Sequence, residues 1–226
     1  MENWLTPEEV RVLGSLIEKE LSTPEYYPLT LNALVAACNQ KNNRDPVVQY
    51  EEAFVADVLD RLRGKKLVTK IVAGMGRVPK NRQEFTHVLK LTGPEQAALC
   101  VLMLRGPQTL AEIKQRSERM YDFRDAAEAE AALNAMAARA DRPLVVLLPR
   151  QPGQREARYA HLLCGDPPPQ PPPVSSDPSD RFTPSSPSAD AARLTALEDE
   201  VRALRAEVAA LRAAFERIEG SRTLPL

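Results

Sequence analysis

The 226-residue chain is short of the residues that build most reactive sites. Its two histidines, His87 and His161, lie far apart, and its three cysteines, Cys38, Cys100 and Cys164, form no Cys-x-x-Cys pair. Such spacing excludes the common structural zinc motifs, and an odd number of isolated cysteines fits reduced thiols acting as small buried hydrophobes in a cytosol. No Gly-x-Ser-x-Gly, P-loop or His-x-x-Glu-type spacing occurs. The glycines at Gly74 and Gly76 follow one short strand signal and open no helix, so they make no dinucleotide fingerprint. The expectation is a protein that is not an enzyme and takes no cofactor and no metal. No run approaches the ~18 apolar residues that span a bilayer, and the start at Met1 has neither the basic region nor the apolar run of a signal peptide. A cytoplasmic protein with no membrane partner is expected. Charge of one sign is also missing. Thirty Lys and Arg against 31 Asp and Glu leave a net charge of −1, so affinity for a polyanion must come from a local patch.

What is present is unevenly distributed. Apolar residues make up 43% of the chain, enough for real cores, yet 20 prolines and only 5% aromatics imply that part of it does not pack. The break comes after Cys164, where residues 165–192 are dominated by proline and serine, favour extended solvated backbone and read as a disordered linker. Residues 1–164 repeat themselves. LTPEEVRVLGSLI from Leu5 is echoed by LTGPEQAALCVLML from Leu91, each with a Thr-x-x-Glu capping box (Thr6 to Glu9, Thr92 to Glu95) and a proline in the first turn. LTLNALVAAC from Leu29 matches QTLAEIKQRS from Gln108, and the run from Glu51 matches that from Ala127. Two strand-like runs close each half: Val68–Val72 with Phe85–Leu91, and Leu144–Leu148 with Ala157–Leu163. In the first helix Val10, Leu13, Leu16, Ile17 and Leu21 form an apolar stripe, with Glu8, Arg11, Glu18 and Lys19 off it. In the third, Phe54, Val55, Val58, Leu59 and Leu62 form the stripe and Gly64 ends it.

Helix, helix, helix, hairpin is the order of a winged helix-turn-helix, here written twice, in residues 1–90 and 91–164. The fold expected is mainly α with small β-hairpins (α+β), and the function expected by arrangement is binding of double-stranded DNA in a regulatory role. Charge supports the first unit. Between Arg61 and Lys90, nine cations face Glu84 alone, and phosphate contacts need such an excess. The candidate DNA-binding residues are Arg61, Arg63, Lys65, Lys66, Lys70, Arg77, Lys80 and Arg82, together with Lys41 and Arg44 from the segment Asn39–Tyr50 between the second and third helices. The same segment is also good turn chemistry, through its asparagines and Asp45-Pro46. The third helix is acidic, with Glu51, Glu52, Asp57 and Asp60, as is its counterpart with Asp125, Glu128 and Glu130. Carboxylates there repel phosphate, so the wing is expected to contribute more than this helix. The second hairpin, with Arg150, Arg155 and Arg158 against Glu156, is more weakly basic. The competing expectation is a protein-protein adaptor that binds a partner through the acidic helix faces and no nucleic acid.

The long collinear pattern LTPEEVRVLGSLIEKELSTPEYYPLTLNALVAACNQKNNRDP, with GRVPKNRQEFTHVL and the MYDF of Met120–Phe123, resembles the YceH-like family of bacterial proteins. The resemblance covers roughly Leu5 to Cys164 and implies a tandem winged-helix body. It implies no ligand or catalytic residue.

Beyond the linker, residues 193–219 carry four heptads, with Leu194, Val201, Val208 and Phe215 at a and Leu197, Leu204, Leu211 and Ile218 at d. Valine at a with leucine at d favours a parallel two-stranded coiled coil. Arg193, Glu200 and Glu207 at g would face Glu198, Arg205 and Arg212 at e of the partner, so a homodimer is expected through this helix, ahead of a flexible tail at 220–226.

Overall fold

Each half begins where its capping box lies. The computed structural model describes residues 4–72, 78–150 and 153–165, and in it helix α1 (Pro7–Ser22) starts at Thr6. The Thr6 hydroxyl accepts from the Glu9 backbone N–H, and the Glu9 carboxylate accepts from the Thr6 N–H at 2.9 Å. A 3-10 turn (Pro24–Tyr26) leads to the two-residue strand β1 (Leu29–Thr30), and Thr30 caps α2 (Leu31–Cys38). Helix α3 (Glu52–Gly64) follows, then strands β2 (Val68–Ile71) and β3 (Lys80–Gln83). The three strands form an antiparallel sheet in the order β1-β3-β2.

The second half repeats the order as α5 (Gly93–Arg105), α6 (Leu110–Ser117), α7 (Ala126–Ala137) and the hairpin β4 (Val145–Leu148) with β5 (Arg158–His161). The repetition extends to β1, which sequence reasoning missed. Gln108, just before α6, bridges to Tyr159 of β5 as Leu29, just before α2, pairs with Asn81 of β3. Thr109 with Glu112 forms a further capping box at α6. Among the described residues the chain is thus α+β, with seven helices and two small antiparallel sheets in tandem winged-helix order.

One expectation is corrected and another refined. The strand expected over Phe85–Leu91 lies earlier, at β3, and Phe85–Val88 forms a one-turn helix, α4. The ladder stops because the Glu84 N–H turns to the Leu67 carbonyl at 2.8 Å and the Gln83 side chain accepts from the Thr86 N–H at 2.9 Å. Phe85 and Leu89, four apart, then point into the core, and Phe85 stacks on Trp4 with ring centroids 5.6 Å apart. Helix α3 does end at Gly64, but the left-handed residue that caps it lies two positions on. Lys66 takes the left-handed conformation (φ 60°), its N–H bonding to the Arg63 carbonyl and that of Leu67 to the Leu62 carbonyl, a Schellman pattern.

The halves share one hydrophobic core because α1 lies against α5, the most extensive helix contact in the body. Gly14 permits the approach, since a Cβ there would sit 2.9 Å from Leu104 Cδ2, and its carbonyl accepts from Cys100 Sγ at 3.4 Å. With α5 on one side and residues 39–50 on another, α1 has almost no solvent face. Arg11 and Glu18, expected off the apolar stripe, are therefore buried. Arg11 donates to the carbonyls of Cys38 and Pro46, and Glu18 pairs with Arg44. Cys38 and Cys100 are buried too. Desolvation pushes the Cys38 thiol up to about 11 and Cys100 higher still, so neither is a ready nucleophile.

Candidate nucleic-acid interface

The candidate cations from Arg61 onward lie in two places: the end of α3 with the residues just after it, and the β2–β3 hairpin. The end of α3 is close to neutral. Lys65 Nζ donates to Glu9 Oε2 at 2.7 Å and to the Trp4 carbonyl at 2.9 Å, while Arg61 Nε lies 3.8 Å from the other oxygen of the same buried carboxylate. Arg61 also draws on Glu8, whose carboxyl is held below its ordinary value mainly by the Thr6 hydroxyl, with a smaller part from Arg61. Arg63 is bonded to Asp60, one turn back. Only Lys66, exposed in its left-handed position, has no ion-pair partner among the described residues.

On the hairpin, strand alternation sorts the cations by face. Lys80 pairs with Ile71 and Arg82 with Thr69, so Lys80 and Arg82 share the outer face, whereas Asn81 and Gln83 turn inward and are buried. Asn81 donates to the Leu29 carbonyl, and Gln83 bonds to Glu20 and Thr86. Lys70 lies opposite Asn81 on the other face of edge strand β2, where it remains exposed. Arg82 is paired with Glu84 at 2.8 Å. Lys70 and Lys80 have no carboxylate within ion-pair distance among the described residues.

Arg44 drops out of the candidate set. It is 5% exposed, and its guanidinium forks onto Glu18 at 3.0 and 2.6 Å while donating to the carbonyls of Ala37 and Asn43 and to Gln40. Every donor is engaged inside the fold, so the residue fastens the segment 39–50 to α1 and cannot reach a phosphate. The excess that remains is smaller than composition implied: Lys66, Lys70, Lys80 and Lys90, beside the self-balanced Arg82, with Lys41 exposed apart from them. Arg77 lies outside the described residues, as do Leu194, Leu197, Val201, Leu204, Val208, Leu211, Phe215 and Ile218.

Sequence reasoning missed Phe54. Expected in the core stripe, it is 39% exposed, because Val55, Val58, Leu59 and Leu62 fill the inward face of α3 and leave it outside. Its ring packs on Tyr50, centroids 4.9 Å apart. Glu51, Glu52 and Asp57 surround it, exposed. No signal in the periodicity distinguishes a stripe's covered edge from its bare one.

Among the described residues no group of three or more His, Cys, Asp or Glu could hold a metal ion, and no helix is long and apolar enough to cross a membrane. The arrangement defines a tandem winged-helix protein with a lysine-bearing first wing. The chain belongs to the bacterial family described as "Protein of unknown function, DUF480", whose model matches residues 5–154. It is 48% identical over 225 residues to a UPF0502 protein of Pelobacter propionicus, covering 97% of this chain and 99% of the relative. A UPF0502 protein of Aeromonas hydrophila is 44% identical over 224 residues, covering 97% and 100%, and one of Geotalea uraniireducens is 55% identical over 167 residues, covering 74% and 75%.

Proposed function

We propose that the protein is a dimeric, regulatory DNA-binding protein that holds duplex phosphates through the first wing. The observation that carries this reading is the trio Lys66, Lys70 and Lys80, exposed around one edge strand and free of the carboxylates that neutralise Arg61, Arg63, Lys65 and Arg82. Helix α3 does not enter the major groove in this reading, since its outer surface presents Glu51, Glu52 and Asp57 to any phosphate. Binding is then largely independent of base sequence.

Three phosphate contacts alone bind weakly at physiological salt. Pairing through the heptads at 193–219 supplies the remainder, because a second body tethered by a Pro/Ser-rich linker meets the same duplex at a high effective concentration. The test is fluorescence anisotropy of a labelled mixed-sequence duplex at two salt concentrations, with Lys70→Ala/Lys80→Ala beside wild type. Binding that weakens in the variant and with salt supports the reading. Salt-independent binding, or none at low salt, contradicts it.

A further inference from the structure

We infer that the outer face of α3, with the segment before it, is a docking surface for a basic segment of a protein partner, an apolar anchor flanked by Lys or Arg. The inference does not depend on DNA binding by the wing. Its centre is apolar: Phe54 at 39% exposure, its ring against half-buried Tyr50, with Val47 at 53% exposure in the same segment. A paired, partly exposed aromatic couple is the composition of an interface centre.

The rim fixes the sign of the partner. Glu51, Phe54 and Asp57 recur at three-residue steps along one side of α3, with Glu52 adjacent. Glu51, Glu52 and Asp57 have no cation within ion-pair distance among the described residues. An occupant carrying Lys or Arg beside an apolar residue neutralises this rim while burying Phe54. Nucleic acid is repelled by it.

The surface is also held in shape. The Asn39 side-chain amide donates to the Tyr50 carbonyl at 2.8 Å and its oxygen accepts from the Tyr50 N–H at 2.8 Å, while Arg11 holds the Pro46 carbonyl next to Val47. Little ordering remains for binding to oppose. The counterpart helix α7 offers nothing similar, since its exposed positions are Ala126, Ala127, Glu130, Ala131, Asn134 and Ala135.

The experiment titrates isotope-labelled full-length protein with a synthetic amphipathic lysine-leucine peptide, beside a glutamate-leucine control, and follows backbone amide shifts. Shifts centred on residues 47–57 for the basic peptide alone are expected. Affinity should fall about tenfold in Phe54→Ala, as for truncation of an interface anchor, and severalfold in Glu52→Gln/Asp57→Asn, with Lys70→Ala/Lys80→Ala unchanged. Phe54 is outside the core, so circular dichroism of the variant should match wild type. Shifts centred elsewhere, equal binding of the acidic peptide, or unaltered affinity in Phe54→Ala would overturn the proposal. So would a Phe54→Ala variant whose sedimentation shows lost self-association, because a second copy of the chain would then be the occupant.

Discussion

The two winged units share an element order and a strand pattern, yet they are held together differently. The first fastens a twelve-residue segment, Asn39–Tyr50, between α2 and α3, using the buried guanidiniums of Arg11 and Arg44. The second connects α6 to α7 with fewer residues, and its ion pairs, Arg116–Glu112, Arg124–Glu128, Arg139–Asp141 and Arg158–Glu112, are partly exposed. The wings differ likewise. Lys70 and Lys80 stand free on the first, whereas on the second Arg158 is bonded to the Pro107 carbonyl and Glu112. One backbone plan therefore leaves room for different work, and under the proposed function the placement of charge assigns phosphate contact to the first unit.

Breaking the buried pair should have the largest effect. In Glu18→Gln the Arg44 guanidinium stays buried without its counter-ion, which costs about 3–5 kcal/mol. The exposed pair lost in Arg116→Ala should cost less than about 1 kcal/mol. Urea unfolding of both variants measures the contrast, and equal losses would erase it. Next comes the seam between the units. Gly14→Val drives side-chain atoms into Leu104 and Met103 and should lower stability by about 1–3 kcal/mol while the body still unfolds in one transition. Two separate transitions in calorimetry would show that the halves are independent.

Acid should weaken the second unit through His161. Burial pushes its pKa down from the ordinary 6.5 to about 4, and its Nδ1 accepts from the Leu163 N–H at 3.4 Å, which requires the unprotonated ring. Between these values the unfolded chain binds a proton that the folded chain does not. The neutral ring's full contribution is present above about pH 6.5 and is lost as pH falls toward 4, by up to roughly 3 kcal/mol. His161→Phe should flatten that part of the pH dependence, measured as urea midpoints against wild type at both ends of the window. The smallest effect is a gain. Lys66→Gly relieves a left-handed lysine in the first unit and should stabilise by about 1 kcal/mol, read as a rise in melting temperature.

Local signals were legible and distant ones were not. Thr6 with Glu9 and Thr92 with Glu95 announce both helix starts, and the run Leu144–Leu148 contains β4. Phe85 and Leu89 also fit a strand's alternation, although their four-residue separation suits the helical turn whose Thr86 N–H bonds to the Gln83 side chain. Arg44 looked like an offered cation because its partner, Glu18, sits 26 residues back on a helix face that becomes interior only when α5 and the 39–50 segment close over it. The same distance hides the neutralisation of Lys65 by Glu9, 56 residues away. Nine cations against one carboxylate was a true reading of a window and a poor one of a surface, since the balancing carboxylates come mostly from α1 and from within α3.

The most direct test of the wing's role is the salt dependence of full-length protein on a mixed-sequence duplex. Three free lysines on each of two paired bodies predict a slope of log K against log salt of roughly −5, falling by about half or more when Lys66, Lys70 and Lys80 are all replaced by alanine. A slope that the triple variant leaves unchanged, or no binding at low salt, would contradict the account.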